Sequence, residues 1–215
     1  MNILLIGNGK MSKTIKMYFK NTEYKIIDAL DDKHKKYKKD LPIDLVIDFS
    51  SPSGLNTSLY YSLLYKVPLI IGTTGYNLEN KKRIENASKK IPIFFESNFS
   101  LVLYEFKKIK EYLSNLDIQK NEYIIETHHK FKKDSPSGTA LSLNLKKAPI
   151  FSLRGGSVFG EHEVRYIFDY EEIIITHVAH NRFAFMDGLK LAINFIITQV
   201  NGIYNLNNIK GDKNG

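Results

Sequence analysis

The densest cluster of reactive side chains occupies one short segment of the chain, residues 126–140. It carries two adjacent histidines, His128 and His129, and Lys132 lies four residues after the first of them. Both His128 and Lys132 can donate a proton, as general acid catalysis requires. The run Pro136-Ser137-Gly138-Thr139 follows and is typical of a helix start, where free amides and the helix dipole favour carboxylate or phosphate. The segment therefore predicts a site that binds an acidic substrate and delivers a proton to it.

The histidine pair taken alone is also compatible with a structural role, and it does not favour a zinc site. Adjacent residues of a strand point to opposite faces, so His128 and His129 cannot both reach one ion. Zinc sites use three or four protein ligands, and no third ligand is evident from the sequence. We therefore expect no metal.

A second chemical motif lies at the start of the chain, between an apolar run and a helical pattern. Its residues are Gly7, Asn8, Gly9, Lys10 and Met11. Two such glycines allow a tight turn and a close approach of the backbone to a pyrophosphate at the helix N-terminus. Ser12 stands where a third glycine is usual. The motif predicts a dinucleotide site, although a turn that merely needs a positive φ angle would look the same.

Three further segments are expected to complete the dinucleotide site. An acidic residue at the end of the second strand should bind the adenosine ribose. Asp31 is the first choice, before Asp32 and Asp28, and a solvated acidic turn is the alternative. Two loops end buried strands and so lie at the carboxyl edge of the sheet, where ligands bind in open α/β folds: Gly72-Thr73-Thr74-Gly75 and Glu96-Ser97-Asn98-Phe99. Either loop could also be a simple capped turn.

The periodicity of apolar residues places these motifs on alternating strands and helices. Strands are predicted at 3–6, 24–30, 45–49, 67–71 and 91–95, and helices at 10–20, 54–65 and 78–90. This alternation is typical of a parallel, doubly wound sheet with helices on both faces.

The pattern changes after about residue 99. A helix is predicted over 101–116, strands at 123–128, 164–168 and 172–177, and a last helix over about 184–200. The later strands leave no room for helices between them, which indicates an antiparallel or mixed sheet. The predicted fold class is α/β, a Rossmann-like parallel sheet plus a smaller α+β domain with a mixed sheet. The predicted domains are 1–99 with 183–215, and 100–182.

Composition excludes several classes of protein. The chain has no cysteine, so thiolate nucleophiles, cysteine zinc sites and a disulfide scaffold are ruled out. No apolar run approaches the length of a membrane span, and we expect a cytoplasmic location. The net charge is +8, but the lysines are scattered along polar helix faces and turns. We therefore expect neither nucleic acid nor membrane as a partner, although a basic nucleic-acid-binding protein on a reductase fold stays an alternative.

Taken together, these motifs resemble the 4-hydroxy-tetrahydrodipicolinate reductase (dihydrodipicolinate reductase) family over nearly the whole chain. The long family signature Glu-x-His-His-x-x-Lys-x-Asp-x-Pro-Ser-Gly-Thr-Ala is met at Glu126, His128, His129, Lys132, Asp134 and Pro136–Ala140. Shorter family motifs are met at Gly7–Met11, Asp48-Phe49-Ser50, Gly72–Gly75 and Asn98-Phe99-Ser100. Later blocks are met at Arg154-Gly155-Gly156, Gly160–Glu163, His177, His180–Arg182 and Gly188.

The resemblance implies a role for each motif. His128 would be the general acid and Lys132 its catalytic partner, while His129, Gly138 and Thr139 would bind the substrate carboxylates. NADH or NADPH would be held by Gly7–Met11, the acid near Asp31, Gly72, Thr73, Thr74 and Glu96–Phe99. Hydride would pass to C4 of a cyclic dicarboxylate imine of diaminopimelate and lysine synthesis. The second domain would also assemble the chain into a homotetramer through its sheet.

This sequence departs from the family pattern at a few places. Ser12 replaces a glycine, Val102-Leu103-Tyr104 replaces a smaller stretch, and only about ten residues separate Thr139 from Phe151. The last departure predicts a truncated helix behind the proposed anion site. Another two-domain nicotinamide oxidoreductase acting on an amino-dicarboxylate is the alternative within the same class. An aspartate at position 31 repels a 2′-phosphate, so we expect NADH to serve at least as well as NADPH.

Overall fold

The computed structural model describes residues 1–30, 40, 42–144 and 146–211, and it divides into two compact units. The first unit contains Met1–Phe99 and the chain from Phe185 onward, and the second contains Ser100–Ala184. The chain therefore leaves the first unit after Phe99 and returns to it at Phe185. Among the described residues, no helix is long and apolar enough to cross a membrane.

The first unit is built on a six-stranded parallel sheet. Its elements are β1 (Asn2–Ile6), α1 (Lys10–Tyr18), β2 (Lys25–Leu30), β3 (Leu45–Asp48), α2 (Leu55–Tyr65), β4 (Leu69–Ile71), α3 (Leu78–Ser88), β5 (Pro92–Phe95), α6 (Met186–Ile196), β10 (Gly202–Tyr204) and α7 (Leu206–Lys210). The strand order is β10-β5-β4-β3-β1-β2, and every pairing is parallel. From β1, the chain places β2 on one side and β3, β4 and β5 on the other, so the order of strand addition switches direction between β1 and β3. Open α/β folds bind ligands at this switch point. The predicted Rossmann-like sheet is confirmed.

The continuous apolar runs read from the sequence are the central strands of this sheet. Ile3, Leu4, Leu5 and Ile6 of β1 are all completely buried, because helices cover both faces of the sheet. Full burial of such a side chain contributes about 1.5–3 kcal/mol relative to leaving it in water. The central strands thereby form a rigid base for the loops at their carboxyl ends.

The second unit is a four-stranded mixed sheet covered on one face by helices. Its elements are α4 (Leu101–Ser114), β6 (Asn121–His128), α5 (Gly138–Leu143), β7 (Ile150–Arg154), β8 (Gly160–Ile167) and β9 (Glu172–Ala179). The strand order is β7-β6-β8-β9, with β6 and β7 parallel and the other two pairings antiparallel. The predicted mixed sheet is confirmed. Its apolar core joins Ile124, Val164 and Tyr166 of the sheet to Leu103 and Phe106 of α4.

Four elements, α6, β7, β10 and α7, differ from the sequence-based expectation. The helix predicted over about 184–200 is not the last element, because α6 ends at Ile196 and is followed by β10 and α7. β10 has only three residues, too few for periodicity to reveal, and its pairing with β5 defines it. β7 was not expected either, since its five residues become a strand through pairing with β6. The helix behind the predicted anion site is short as expected: α5 has six residues.

Candidate active site

The glycine turn after β1 has the conformation that a dinucleotide site requires. Gly7 has φ +112°, and a Cβ there would lie 2.5 Å from the carbonyl oxygen of Phe49, so only glycine fits. Asn8, Gly9 and Lys10 are exposed. Gly9 caps α1 without a side-chain hydrogen bond, and the first turn of α1 has no acidic residue. The first amides of α1 are thus available to an anion.

Asp48, the last residue of β3, organises the neighbouring loops of this edge. It is fully buried, and its carboxylate accepts hydrogen bonds from the Ser50 hydroxyl at 2.6 Å, the Thr73 hydroxyl at 2.8 Å and the Ser58 hydroxyl at 2.5 Å. Burial raises the pKa of Asp48, while these hydroxyl donors act in the opposite direction. The carboxylate therefore ties the loop after β3 to the loop after β4.

The predicted cofactor residues after β4 and β5 divide into buried and exposed positions. The Thr73 hydroxyl is turned inward, where it also accepts from the Ser50 amide at 2.9 Å, whereas Thr74 is exposed. The Glu96 carboxylate accepts from the Ser97 amide at 3.0 Å and from the Leu206 amide at 3.4 Å. Phe99 is buried, with its ring 5.4 Å from that of Phe49. Thr73, Glu96 and Phe99 thus have structural contacts of their own, and Gly72, Ser97 and Asn98 complete the two loops.

The acidic residue expected at the ribose, Asp31, lies outside the described residues, as does the second choice, Asp32. The third choice, Asp28, lies inside β2 rather than at its end, and its carboxylate accepts from the Ala29 amide at 2.8 Å. Ser12 is 1% exposed, on the inner side of α1, and its hydroxyl has no hydrogen-bond partner within the described chain. That burial leaves Ser12 as a packing residue and not as a phosphate ligand.

A nicotinamide dinucleotide fits the residues of this edge. Lys10 and Lys13 lie in the first turn of α1, where positive charge opposes the helix dipole unless an anion is bound. The uncapped amides and the glycine cradle described above supply donors for such an anion. Gly7, Asn8, Gly9, Lys10 and Met11 are accordingly the residues that would hold its pyrophosphate.

In the second unit, the reactive side chains gather on the buried face of the sheet. Alternation along β6 places Glu126 and His128 on the same side, and both are buried. The register sets Glu126 directly opposite His162 of β8, and His162 directly opposite His177 of β9. The rings of His128 and His162 meet edge to face with centroids 5.3 Å apart. One carboxylate and three histidines therefore share one face.

Glu126 is the charged centre of this cluster. One of its carboxylate oxygens contacts Nδ1 of His128, and the other accepts from Arg154 Nη2 at 2.6 Å and from the Ser137 amide at 3.2 Å. Burial acts to raise the pKa of Glu126, but the hydrogen bonds from Arg154 and His128 outweigh it and lower the pKa to about 2. Glu126 is thus an ionised carboxylate in a buried position.

The histidines of this face are held toward their neutral forms. Burial lowers the pKa of His128, with Glu126 acting against it and the charges of Lys132 and Arg154 adding to it. Burial lowers the pKa of His162 to about 4, and His128 and His177 add to that effect. Burial also lowers the pKa of His177. His128 is the one in contact with a carboxylate, so it is the best placed of the three to take up a proton.

Lys132 and the predicted anion site lie on the loop that follows β6. Lys132 Nζ donates to both carboxylate oxygens of Asp134, each at 2.8 Å. Ser137 caps α5 by accepting from the Ala140 amide at 3.2 Å, while the amides of Gly138 and Thr139 have no hydrogen bond within the described chain. Those two amides are the free donors of the predicted site, although the short helix adds little dipole.

His129 directly follows the last residue of β6, so it lies outside the strand that carries His128. It is half-buried, and its Nδ1 has no partner within the described residues. A third candidate metal ligand does lie beside His128, contrary to expectation, because Glu126, His128 and His162 each place a ligand atom within 4.8 Å of the others. However, Glu126 is already neutralised by Arg154, and Lys132 adds charge that repels a cation. The cluster is therefore suited to proton chemistry.

Sequence reasoning gave no role to four residues that build these sites: Asp48, Glu126, Arg154 and His162. A signal for Glu126 was present, because a spacing of two on a strand places it beside His128. Arg154 and His162 come from other strands, so their approach depends on a register that periodicity does not reveal.

Comparison with known proteins gives a consistent result. Family models described as the N-terminus and C-terminus of dihydrodipicolinate reductase match residues 1–99 and 100–209. A 4-hydroxy-tetrahydrodipicolinate reductase of Buchnera aphidicola subsp. Cinara cedri is 38% identical, over 95% of this chain and 85% of the relative. One of Alkaliphilus oremlandii is 33% identical, over 97% and 98%. The solved structure of a dipicolinate-bound dihydrodipicolinate reductase from Paenisporosarcina sp. TG-14 is similar, with TM-score 0.76 and 20% identity, over 97% of this chain and 99% of that one.

Proposed function

Because this chain belongs to the dihydrodipicolinate reductase family, we infer that it acts as a 4-hydroxy-tetrahydrodipicolinate reductase. The overall reaction converts 4-hydroxy-tetrahydrodipicolinate, by loss of water and uptake of a hydride and a proton, to tetrahydrodipicolinate. It belongs to the synthesis of diaminopimelate and lysine. A nicotinamide dinucleotide supplies the hydride when bound. The observation that carries the proposal is the buried cluster around His128, which pairs a proton donor with cations and free amides suited to a dicarboxylate.

We assign the proton donor to His128. Burial lowers the pKa of His128, and its contact with ionised Glu126 opposes that effect by favouring the imidazolium form, so His128 can take up a proton and release it readily. Lys132 acts with it as a second cation, and it must release Asp134 in order to reach a substrate group. Protonation at the ring carbon next to C4 completes the reduction once hydride has arrived.

We assign the substrate carboxylates to His129, Gly138 and Thr139. The amides of Gly138 and Thr139 are free to donate, and hydrogen bonds to an ionised acceptor are roughly twice as strong as those between neutral groups. His129 adds a ring nitrogen that has no partner in the described chain. The substrate is a planar dicarboxylate, which such directional donors can orient.

We assign the dinucleotide to Gly7–Met11, Asp31, Gly72–Thr74 and Glu96–Phe99. Support comes from the glycine cradle and the uncapped start of α1, and from the position of these loops at the carboxyl edge of the sheet. Asp31 favours free ribose hydroxyls, so we propose that NADH serves at least as well as NADPH. A reductase works where the nicotinamide pool is, and we therefore propose the cytoplasm.

We further propose that the chain forms a homotetramer through the outer face of the second unit's sheet. That face carries the exposed apolar side chains Phe151 and Leu153 of β7, and Ile174 and Val178 of β9. Each of them is between 42% and 54% exposed, which is unusual for strand residues that alternate with a buried face. A second copy of the same sheet would cover them.

A coupled assay tests the proposed function directly. The product of condensing pyruvate with aspartate semialdehyde is supplied with NADH or NADPH, and loss of nicotinamide absorbance is followed. We expect turnover that depends on both components and is inhibited by pyridine-2,6-dicarboxylate in competition with substrate. Absence of turnover with either cofactor would refute the proposal.

A further inference from the structure

The two edges of the His128 ring face different residues, Glu126 at Nδ1 and Gly160 at Nε2. We propose that Glu126 and Gly160 are positioning residues for His128: Glu126 fixes the Nδ1 edge and Gly160 leaves the Nε2 edge uncovered, so that Nε2 delivers the proton. This inference rests on the proposed function, because it takes His128 to be the acid. Neither residue is required to touch the substrate.

Glu126 determines which nitrogen of His128 faces inward. An ionised carboxylate has acceptors only, so the His128 Nδ1 that contacts it must carry a hydrogen. The second carboxylate oxygen is occupied by Arg154 at 2.6 Å and by the Ser137 amide at 3.2 Å, which prevents the carboxylate from rotating away. Glu126 is 0% exposed, so no water competes for these contacts. The ring is therefore held in one orientation, with Nε2 on its opposite edge.

Gly160 explains how that opposite edge stays clear. It is the first residue of β8, and a Cβ built on it would lie 3.2 Å from His128 Nε2 and 3.5 Å from Cδ2. The backbone of Gly160 is not in the left-handed region, so its conformation alone does not require glycine. The requirement is one of space, since a methyl group would press on the ring edge that carries Nε2.

The charges that face His128 come from every neighbouring element. Glu126 lies on the same strand, Arg154 comes from β7, His162 comes from β8, and Lys132, paired with Asp134, comes from the following loop. Arg154 and Lys132 oppose protonation of His128, and His162 opposes it when charged. Glu126 is thus the group in contact with His128 that favours the imidazolium, and removing its charge must make His128 a stronger acid.

The test measures kcat against pH for the full-length enzyme and for Glu126→Gln, with Glu171→Gln as the matched control. Gln is nearly isosteric with Glu, and Glu171 is an exposed residue of the same unit. We expect the alkaline limb of kcat to move to lower pH by about one unit or more in Glu126→Gln, and kcat at neutral pH to fall at least about tenfold. Glu126→Asp should keep the limb near its wild-type position. A uniform fall in kcat with an unmoved limb would overturn the inference.

A second variant keeps the test independent of the stability of Glu126→Gln. Gly160→Ala adds a methyl group against the His128 ring, whereas Gly155→Ala adds one that meets no atom within 4 Å. We expect kcat to fall about tenfold or more in Gly160→Ala, with KM for the nicotinamide cofactor unchanged, and Gly155→Ala to behave like wild type. Wild-type kcat in Gly160→Ala would overturn the role of Gly160.

The variant His128→Ala tests the assignment of His128 as the acid separately from the positioning roles of Glu126 and Gly160. Near-normal kcat in His128→Ala would overturn the assignment of the acid and this inference with it. Impaired His128→Ala together with a wild-type pH profile in Glu126→Gln would overturn this inference alone. Circular dichroism and the affinity for NADH, measured on every variant, show which losses come from unfolding.

Discussion

The two proposed proton donors, His128 and Lys132, contact different carboxylates in different surroundings. His128 is buried at 8% exposure, and one ionised neighbour, Glu126, favours its protonated form. Lys132 is closer to solvent and shares its charge with Asp134 through two hydrogen bonds. The first residue is fixed in place by its strand, while the second can exchange Asp134 for a substrate group. Substitutions at the two positions should therefore impair the reaction through different steps.

We expect His128→Ala and Lys132→Ala each to lower kcat by at least about tenfold while the fold survives, because a positioned acid contributes about 10²–10⁴ in rate. Steady-state kinetics with circular dichroism on each variant measure this. Lys130→Ala is the matched control, since Lys130 is an exposed lysine of the same loop. Near-normal kcat in both His128→Ala and Lys132→Ala would show that the roles are wrongly assigned.

We propose that Asp31, which follows β2 in the sequence, decides cofactor preference. We expect NADH to be used at least as well as NADPH, and Asp31→Ala to shift kcat/KM toward NADPH, because the carboxylate repels a 2′-phosphate. The measurement compares both cofactors at physiological salt, which largely screens the charges of the lysines that follow Asp31 in the sequence. A tenfold or greater preference of the wild type for NADPH would mean that those lysines dominate.

At the scale of elements, the proposed chemistry of the second unit requires polar side chains on the buried face of its sheet. β6, β8 and β9 each contribute a buried histidine to the side of the sheet that also holds the apolar core. Burial lowers the pKa of all three. These three histidines are therefore harder to protonate in the folded unit than in the unfolded chain.

This resistance predicts acid sensitivity. His162 titrates near 6.5 in the unfolded chain and about 4 in the folded one. As pH falls from about 6.5 to about 4, the unfolded state takes up a proton that the folded state refuses, so the free energy of unfolding decreases. We expect Tm to fall less steeply over that range in His162→Gln than in the wild type, with exposed His180→Gln unchanged. Equal slopes in all three proteins would contradict the prediction.

Helices and strands could be predicted from the sequence wherever a local pattern of apolar residues determines the secondary structure. The runs Ile3–Ile6 and Leu69–Ile71 are strands because their residues are apolar on both faces, and that is visible in the sequence. β7 and β10 were missed because pairing, and not composition, makes them strands. The same division holds in the site: His128 and Lys132 stand out in one segment, whereas Arg154 and His162 reach Glu126 and His128 through strand register.

At the scale of the whole molecule, the outer face of the second unit's sheet should determine assembly. We expect a tetramer by size-exclusion chromatography with light scattering, and dissociation when Leu153→Asp places a charge on this face beside Phe151. Val200→Asp is the control, because Val200 is 77% exposed in the first unit. A monomeric wild type, or a Leu153→Asp variant that stays tetrameric, would refute this interface.

The contact between the Glu96 carboxylate and the Leu206 amide has a consequence for the lifetime of the enzyme. The loop after β5 is held from behind by the last elements of the first unit, since β10 pairs with β5 and α7 supplies that amide. An exopeptidase that trimmed the chain back past Gly202 would remove both supports and leave the rest of the polypeptide intact. Because we propose that the loop after β5 binds the cofactor, such a truncated molecule would still react with an antibody although its affinity for the nicotinamide cofactor had declined.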